Sequence, residues 1–253
     1  MFTKAIVRTP CRAMIDGLTS ADLGLPDYPT ALAQHADYVR ALQECGLEVT
    51  ELASNEAFPD SCFVEDVALM TPNCAIITRP GAESRQQEAE LIAPVVADFH
   101  PTVASIEAPG TVEAGDIMMV GTHYYIGLSE RTNQAGAEQM VKLLKAHGLS
   151  ASIIPVQGVL HLKTGITYIG NNTLLALDQF ANDPAFASFN IIEVPAEESY
   201  AANCIAINDT LLMPKGYPAT KQQLLEAGFE LREVEMSEFR KIDGGLTCLS
   251  LRF

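Results

Sequence analysis

The sequence predicts an α/β fold in which a module of hairpin, helix and strand repeats around a closed ring. Four pairs of short β-rich runs, each pair separated by a Gly, Asn or Pro turn, are typical of β-hairpins. Amphipathic helical segments follow several of these pairs. The turn residues Asn73, Gly121, Asn171 and Asn208 lie 48, 50 and 37 positions apart, a period typical of propellers and solenoids. A closed ring is favoured because it leaves no sheet edge exposed.

The first and last elements complete this repeat. The chain begins with a strand at 4–7, and the last strand, 246–251, is expected to pair near it. The two ends of the chain would then supply a fifth module, and Cys248 would lie in its strand. The four internal hairpins are predicted at 67–70 with 74–77, 117–120 with 124–126, 166–169 with 173–176, and 204–207 with 211–213.

Four helices are predicted between these strands. Each has apolar residues at helical spacing and a start or stop signal. The first has an apolar face of Leu32, Ala36, Val39 and Leu42 and ends at Gly46, and the second follows a capping box of Ser84 and Gln87. The third extends over 131–147 and stops at Gly148, and the fourth is capped by Thr220 and ends at Gly228.

The charge of the chain narrows the classes of partner. With 16 basic and 32 acidic side chains the formal net charge is −16. Nucleic acids and anionic membranes bind clustered Lys and Arg, so neither is expected as a partner. A cationic small molecule would be attracted by this charge, although acidity that only aids solubility is the simpler interpretation of charge alone. No apolar run approaches the roughly 18 residues that a membrane span needs.

The cysteines indicate a reducing compartment. The N-terminal apolar run is too short for a signal peptide, and no two cysteines form a C-x-x-C pair typical of zinc or thioredoxin sites. A cytoplasmic protein is therefore expected, with most thiols acting as small core residues. The six are Cys11, Cys45, Cys62, Cys74, Cys204 and Cys248.

Polar residues occur just before each predicted hairpin. They are Glu65 with Asp66, Glu113 with Asp116, His161 with Lys163 and Thr164, Asn203, and near the C-terminus Cys248. If the modules surround an axis, these positions converge at one end of it. Each residue taken alone also has a purely structural interpretation. Cys248 could be a small apolar residue of a strand, His161 a half-buried strand histidine, and Glu113 with Asp116 acidic residues that stabilise a turn. Glu65 and Asp66 are neighbours, so they face one ligand together only at a bulge or a strand end.

Six segments in register resemble the dimethylarginine dimethylaminohydrolase family. They read FPDSCFVED at 58–66, TRPGAESR at 78–85, VEAGD at 112–116, GLSERTN at 127–133, LHLK at 160–163 and KIDGGLTC at 241–248. The likeness extends over nearly the whole chain. It implies a five-bladed α/β propeller, the pentein fold of guanidine-modifying enzymes, with residues 1–253 as a single catalytic domain. It also implies hydrolysis of methylated arginines to citrulline and a methylamine.

The resemblance further implies catalytic roles that chemistry supports. Cys248 corresponds to the family's nucleophile, and a thiolate suits the weakly electrophilic guanidinium carbon. His161 corresponds to the general acid and base, and Glu113 to the carboxylate that orients it.

Binding roles follow in the same way. Glu65 and Asp66 correspond to the guanidinium contacts, and Arg85 and Arg131 to the clamp on the substrate carboxylate. The α-amino contacts correspond to Asp60 and to the backbone of Leu18 and Ile242. Leu18 lies in segment 13–20, which resembles the family's mobile lid. The resemblance implies no metal and no cofactor.

Two other functions would share parts of this sequence pattern. An arginine deiminase or amidinotransferase would use a similar set of Cys, His and carboxylate residues, and release of ammonia rather than methylamine would identify a deiminase. A non-catalytic pentein, like the ribosome-binding initiation factor of that superfamily, would lack the Cys and His pair that this chain has. The oligomeric state is open, with a homodimer as one option.

Overall fold

Fifteen short strands form five sheets of three strands each. The computed structural model of the chain describes all residues from Met1 to Phe253. In each sheet the middle strand pairs antiparallel with one neighbour and parallel with the other. The strands are β1 (Lys4–Arg8), β2 (Glu48–Leu52), β3 (Ala68–Met70), β4 (Ala75–Ile77), β5 (Val103–Ser105), β6 (Ile117–Val120), β7 (His123–Leu128), β8 (Ser150–Pro155), β9 (Ile166–Gly170), β10 (Thr173–Ala176), β11 (Asn190–Glu193), β12 (Ile205–Ile207), β13 (Thr210–Pro214), β14 (Glu230–Val234) and β15 (Leu251–Arg252).

The sheets are arranged as the blades of a propeller. The inner strands β3, β6, β9, β12 and β15 all line one central cavity of about 230 Å³. All four predicted hairpins are present, and the predicted five-bladed α/β architecture is confirmed. Five clusters of buried apolar side chains fill the interior. No helix combines the length and apolar character needed to cross a membrane.

The fifth blade closes the ring through the two ends of the chain. β15 pairs antiparallel with β1, with Ile6 opposite Leu251, and β1 pairs parallel with β2. The predicted pairing of the two ends is therefore confirmed. The prediction that Cys248 lies in the last strand is wrong, because Thr247–Leu249 form a 3₁₀ turn and the strand begins only at Leu251.

The seven helices are α1 (Tyr28–Glu44), α2 (Gln86–Phe99), α3 (Gln134–Ala146), α4 (Leu162–Gly165), α5 (Asp178–Ala181), α6 (Pro218–Glu226) and α7 (Ser237–Arg240). Four of them, α1, α2, α3 and α6, lie where the sequence predicts helices, with different boundaries, and the short helices α4, α5 and α7 were not predicted. The predicted capping box is absent, because Arg85 takes the N-cap position of α2 after a 3₁₀ turn at Glu83–Arg85. Thr220 lies inside α6, which begins at Pro218.

The buried face of α1 differs from the predicted one. Its buried residues include His35 and Tyr38, whereas Ala36 is exposed. The Tyr38 hydroxyl donates to the Leu246 carbonyl inside the protein, so the side chain is buried without an unsatisfied polar group. The apolar pattern of the sequence did not indicate this face, because two of its buried residues, Gln34 and His35, are polar.

A short helical turn precedes the first strand of each hairpin. The turns are Val64–Val67, Ala114–Asp116, α4, Ala196–Ala202 and, before β15, Thr247–Leu249. They explain how adjacent residues such as Glu65 and Asp66 escape the strict alternation of a strand. Equivalent turns from the blades meet at the axis of the ring, and the turns with their N-cap residues bring Asp66, Glu113, His161 and Cys248 together.

Candidate active site

One narrow pocket is lined by nine of the ten predicted site residues. The nine are Leu18, Asp60, Asp66, Arg85, Glu113, Arg131, His161, Ile242 and Cys248. The pocket has a volume of about 30 Å³ and adjoins a wider cavity of about 450 Å³, which shares Cys248 and Asp243 with it. Residues more than 200 positions apart therefore surround one small space.

Glu65 is the tenth residue, and it does not line this pocket. Its Oε1 contacts the Lys163 ammonium and accepts from the Arg252 guanidinium at 2.8 Å. Its side chain faces the central cavity instead. Its Oε2 is buried and has no hydrogen-bond partner. The two adjacent carboxylates thus differ, with Asp66 in the pocket and Glu65 among cations behind it.

His161 and Glu113 form a buried pair. His161 Nε2 lies 2.8 Å from Glu113 Oε2, and the other oxygen of Glu113 accepts from the Ala82 amide at 3.1 Å and from Arg131 at 3.3 Å. Burial alone would lower the pKa of His161, but the charge of Asp66 and the hydrogen bond that the imidazole donates to Glu113 outweigh it and raise that pKa to about 9. His161 is therefore protonated at neutral pH and can act as an acid.

The pKa of Glu113 moves in the opposite direction. Burial opposes its ionisation, yet the hydrogen bond and charge of His161 lower the pKa of Glu113 to about 2. Glu113 is consequently a carboxylate throughout the neutral range. It fixes the orientation of the imidazole through one oxygen, while backbone and Arg131 contacts hold the other.

Cys248 lies in the 3₁₀ turn that follows Gly244 and Gly245. Its Sγ accepts a weak hydrogen bond from the Gly245 amide at 3.4 Å. Burial, followed by the charges of Asp66 and Glu65, raises the pKa of the Cys248 thiol to about 12, although the Gly245 bond and Lys163 act against this. The sulfur is therefore a protonated thiol at neutral pH in the unliganded site.

Arg85 is tightly held within the protein. Its Nη1 donates to Asp66 at 2.6 Å, and its Nε and Nη2 donate to Glu88. Nη2 also donates to the backbone carbonyls of Asp60 and Phe63. Only one N–H of Nη1 is left without a partner, so Arg85 acts chiefly as the counter-ion of Asp66.

Arg131 is the more accessible of the two arginines. Its side chain is 23% exposed, against 5% for Arg85. Its single side-chain contact within the protein is the 3.3 Å bond to Glu113. Most of its N–H groups are available to an incoming anion.

The lid segment, residues 13–20, covers the pocket through Asp60 and the stretch 241–243. The Leu18 amide donates to Asp60 at 3.0 Å, and the Thr19 hydroxyl donates to the Lys241 carbonyl. Ser20 donates to Asp243 through its amide and its hydroxyl. Burial raises the pKa of Asp60, although Arg85 opposes this shift.

Two supporting residues received no role from the sequence. Asp116 accepts from the Leu162 amide beside His161 and from the hydroxyls of Ser129 and Thr132. Asn203 accepts from the Thr247 amide, next to Cys248. Their positions just before a hairpin were a signal, since each belongs to the polar clusters noted above.

Asp66, Glu113 and His161 have ligand atoms within 4.8 Å of one another, a spacing that a metal ion would accept. Their present bonds favour a different occupant. Arg85 and His161 already donate to the two carboxylates, and a protonated imidazole has no lone pair for a metal. The set of carboxylates beside a thiol suits an organic cation.

The chain is similar to known proteins over its whole length. The arginine deiminase family model matches residues 54–203. The dimethylarginine dimethylaminohydrolase of Pseudomonas aeruginosa is 58% identical, with 100% of both chains covered. That of Streptomyces coelicolor is 37% identical over 98% of this chain and 96% of its own.

Solved structures show the same relationship. A cysteine-to-serine variant of the Pseudomonas aeruginosa enzyme, complexed with citrulline, superposes with a TM-score of 0.99 over 100% of both chains at 57% identity. The N-terminal domain of the arginine dihydrolase ArgZ has a TM-score of 0.90 at 21% identity, which supports the fold alone. The chain therefore belongs to the dimethylarginine dimethylaminohydrolase family.

Proposed function

We propose that this protein hydrolyses Nω-methylated arginines, namely asymmetric dimethylarginine and monomethylarginine, to citrulline and dimethylamine or methylamine. One observation carries the proposal: a cysteine, a protonated histidine and the carboxylate of Asp66 face a single narrow pocket. A guanidinium complements this arrangement in charge and shape. The family membership of the chain supports the same activity.

The first step forms a covalent intermediate. The cationic guanidinium binds beside Asp66, and its charge favours loss of the Cys248 proton to solvent. The thiolate attacks the guanidinium carbon and forms a C–S bond. His161 donates its proton to the methylated nitrogen, the C–N bond breaks, and the amine leaves. A cationic S-alkylthiouronium on Cys248 and a neutral His161 remain.

The second step uses water. Neutral His161 accepts a proton from a water molecule that attacks the thiouronium carbon. The C–S bond breaks, citrulline is released, and Cys248 regains a proton. His161 is then protonated again and ready for the next turnover. Glu113 keeps the imidazole oriented throughout.

The amino-acid end of the substrate is held by other residues of the pocket. We propose that Arg131, with the one free N–H of Arg85, binds the α-carboxylate. Asp60 and the backbone of Leu18 and Ile242 bind the α-ammonium group. Glu65 acts on the reaction through its charge, with Oε2 as an acceptor that no protein donor satisfies. No metal or cofactor takes part.

Citrulline and amine release together test this proposal. The protein is incubated with asymmetric dimethylarginine, monomethylarginine and arginine, and citrulline, methylamines and ammonia are measured. We expect citrulline with equimolar dimethylamine or methylamine. Cys248→Ser should fold and release neither, because a hydroxyl is a far weaker nucleophile near neutral pH.

A deiminase-like activity is the second candidate, and the match to the arginine deiminase family favours it. Citrulline from arginine with ammonia, at a rate above that for the methylated substrates, would replace the first proposal by the second.

The domain organisation, the cellular location and the oligomeric state of the enzyme are also part of the proposal. We propose that residues 1–253 act as one catalytic domain, since the pocket draws on Leu18 near one end and Cys248 near the other. Six free thiols favour a cytoplasmic location, where thiols stay reduced. The protein could form a homodimer, and sedimentation velocity would measure its oligomeric state.

A further inference from the structure

The turn that carries Cys248 is held from behind by one side chain. Arg252 Nη1 donates to the Thr247 carbonyl at 3.0 Å and to the Ser250 carbonyl at 2.9 Å, on either side of the cysteine. The same nitrogen lies 2.7 Å from the Ser250 hydroxyl. That hydroxyl contacts the Tyr38 phenol, which also donates to the Leu246 carbonyl. Three carbonyls of the turn are thus bound by this buried network.

Arg252 also carries charge into this network. Its Nη2 donates to Glu65 Oε1 at 2.8 Å, and its side chain is only 12% exposed. Glu65 is one of the two carboxylates whose charge disfavours ionisation of Cys248. Arg252 and Lys163 together offset Glu65 from behind the sulfur. A single guanidinium therefore contacts both the backbone around the nucleophile and the acid that opposes its ionisation.

We propose that Arg252 is a positioning residue of the hydrolytic reaction, which sets both the placement of Cys248 and the ease with which its thiol ionises. This inference rests on the proposed function, in which Cys248 is the nucleophile. Arg252 touches no part of the pocket that holds the nine site residues, so it acts through the turn and through Glu65.

Charged groups from several blades surround Cys248, and Asp60, Arg85, Glu113 and Arg131 line its pocket. Glu65 and Asp66 disfavour the thiolate, and Lys163 favours it. Protonated His161 lines the same pocket on one side, and the carboxylate of Asp243 lines it on another. Tyr200 also faces the sulfur, but burial keeps its pKa well above the ordinary value, so it is neutral. Loss of the Arg252 charge would leave Glu65 with Lys163 as its one cationic partner.

A lysine cannot reproduce this geometry. The planar fork of an arginine donates to Glu65 through one nitrogen while the other binds two carbonyls, whereas an ammonium is a single point of donation. Arg252→Lys should therefore keep the positive charge but lose the paired hydrogen bonds to the Thr247 and Ser250 carbonyls. Arg252→Met should lose both. These two variants separate placement from ionisation.

The test measures the thiol directly and does not depend on the substrate. Alkylation of Cys248 by iodoacetamide is followed against pH, with peptide mass spectrometry to distinguish it from the other five cysteines. Arg252→Met should raise the apparent pKa of Cys248 by about half a unit to one unit, as expected for loss of a nearby cation. In a Glu65→Gln background the same substitution should produce a smaller shift.

Turnover supplies the second measurement. Arg252→Lys should keep the thiol pKa of the parent protein but lower kcat by about 10- to 100-fold, with little change in KM, because misplacement of a reacting group costs rate. Arg232→Met is the matched control: Arg232 also pairs with two carboxylates, Asp37 and Glu44, but away from the pocket. It should change neither quantity.

Two results would overturn the proposal. One is an unchanged Cys248 pKa in Arg252→Met with the Arg252→Lys enzyme as fast as its parent. The other is a loss of thermal stability in both variants with no selective effect on kcat, which would make Arg252 structural only. Failure of the proposed function is distinguishable, since the alkylation profile would still shift in a protein that hydrolyses no methylarginine. If Arg252→Met does not fold, Arg252→Lys alone decides between these outcomes.

Discussion

At Cys248 the unliganded pocket disfavours the charge that catalysis needs. The sulfur lies among carboxylates, and the pKa of its thiol is raised to about 12 by burial and by the charges of Asp66 and Glu65. A guanidinium bound at contact distance would bring a positive charge and lower that pKa. The substrate would then help to create its own nucleophile, and the idle thiol would resist oxidation.

Two alkylating agents test this ionisation. A neutral agent should inactivate the free enzyme with a high apparent pKa. A cationic agent that bears an amidine should react much faster, and its rate should persist to lower pH, because it supplies the missing charge. Equal and low thiol pKa values with both agents would instead indicate a standing thiolate–imidazolium pair with His161.

The His161 and Glu113 pair links stability to pH. The pKa of His161 rises from 6.5 to about 9 on folding, so its contribution to stability is complete below about pH 6.5 and is lost as the pH rises through 9. The pKa of Glu113 falls from 4.5 to about 2, so its contribution is present above pH 4.5 and is lost as the pH falls through 2.

Glu113→Gln should reduce the contribution of protonated His161 to stability, and that contribution should be lost at a lower pH than in the parent protein. Without the carboxylate, the pKa of His161 should fall, although Asp66 and Asp116 still favour its protonated form. Titration of the imidazole by NMR measures that pKa, and denaturant unfolding at about pH 6 and pH 9.5 measures the stability. If the pKa of His161 did not change in the variant, Glu113 would not stabilise the protonated imidazole.

The two arginines of the pocket should respond differently to truncation. Arg131→Ala should mainly raise KM, because Arg131 is accessible and has one contact within the protein. Arg85→Ala should lower kcat and stability as well, since it would remove the buried cation that hydrogen-bonds to both Asp66 and Glu88. Steady-state kinetics with and without a substrate carboxylate check this, and equal loss on both substrates for Arg131→Ala would refute the clamp.

The elements that matter most for the site are the short turns before each hairpin. Gly115 in one of them has no room for a side chain, since a Cβ there would lie 2.8 Å from His161 Nδ1 and 2.9 Å from Asp66 Oδ1. Gly115→Ala should displace the imidazole and lower kcat by about 10- to 100-fold, with an overpacking cost of about 1–3 kcal/mol.

Gly121→Ala is the matched control. Gly121 has a φ of +60° in the turn between β6 and β7, and a Cβ there would meet nothing within 4 Å. An alanine should cost about 1–2 kcal/mol in the left-handed conformation but leave kcat unchanged. Thermal unfolding and steady-state kinetics are measured on both variants. A similar kcat for the two would mean that the tight turn does not position His161.

Sequence patterns reveal these elements unequally. The hairpins were predictable because two β-rich runs around a Gly or Asn turn are a local signal, as at Asn171. The 3₁₀ turns were not, because three or four residues contain no measurable period, and Cys248 was therefore assigned to a strand. The partners of Glu65 and Arg85 could not be predicted either. Which carboxylate pairs with which cation depends on the packing of blades that are distant in sequence.

Over the whole molecule, the ring turns distant sequence positions into neighbours. Lys4 and Phe253 exchange backbone hydrogen bonds at 2.8 Å and 3.0 Å, so the two ends of the chain lie side by side in one blade. The same closure brings Cys248 to a pocket that Leu18 of the lid segment also lines, and it places Arg252 behind that pocket beside Glu65. The order of the blades along the chain is therefore less important than their closure.

A circular permutant tests this view of the molecule. A short Gly/Ser linker should join Phe253 to Met1, and new ends should be opened between Asn171 and Asn172, which are exposed in the turn between β9 and β10. Because no sheet pairing is lost at either place, the permutant should fold and keep a Tm and a kcat close to those of the parent. New ends between Gly244 and Gly245, which are buried beside Cys248, should abolish turnover even with the same linker. Circular dichroism melting and citrulline formation are measured on both. An unfolded first permutant would show that the ring depends on its original chain order.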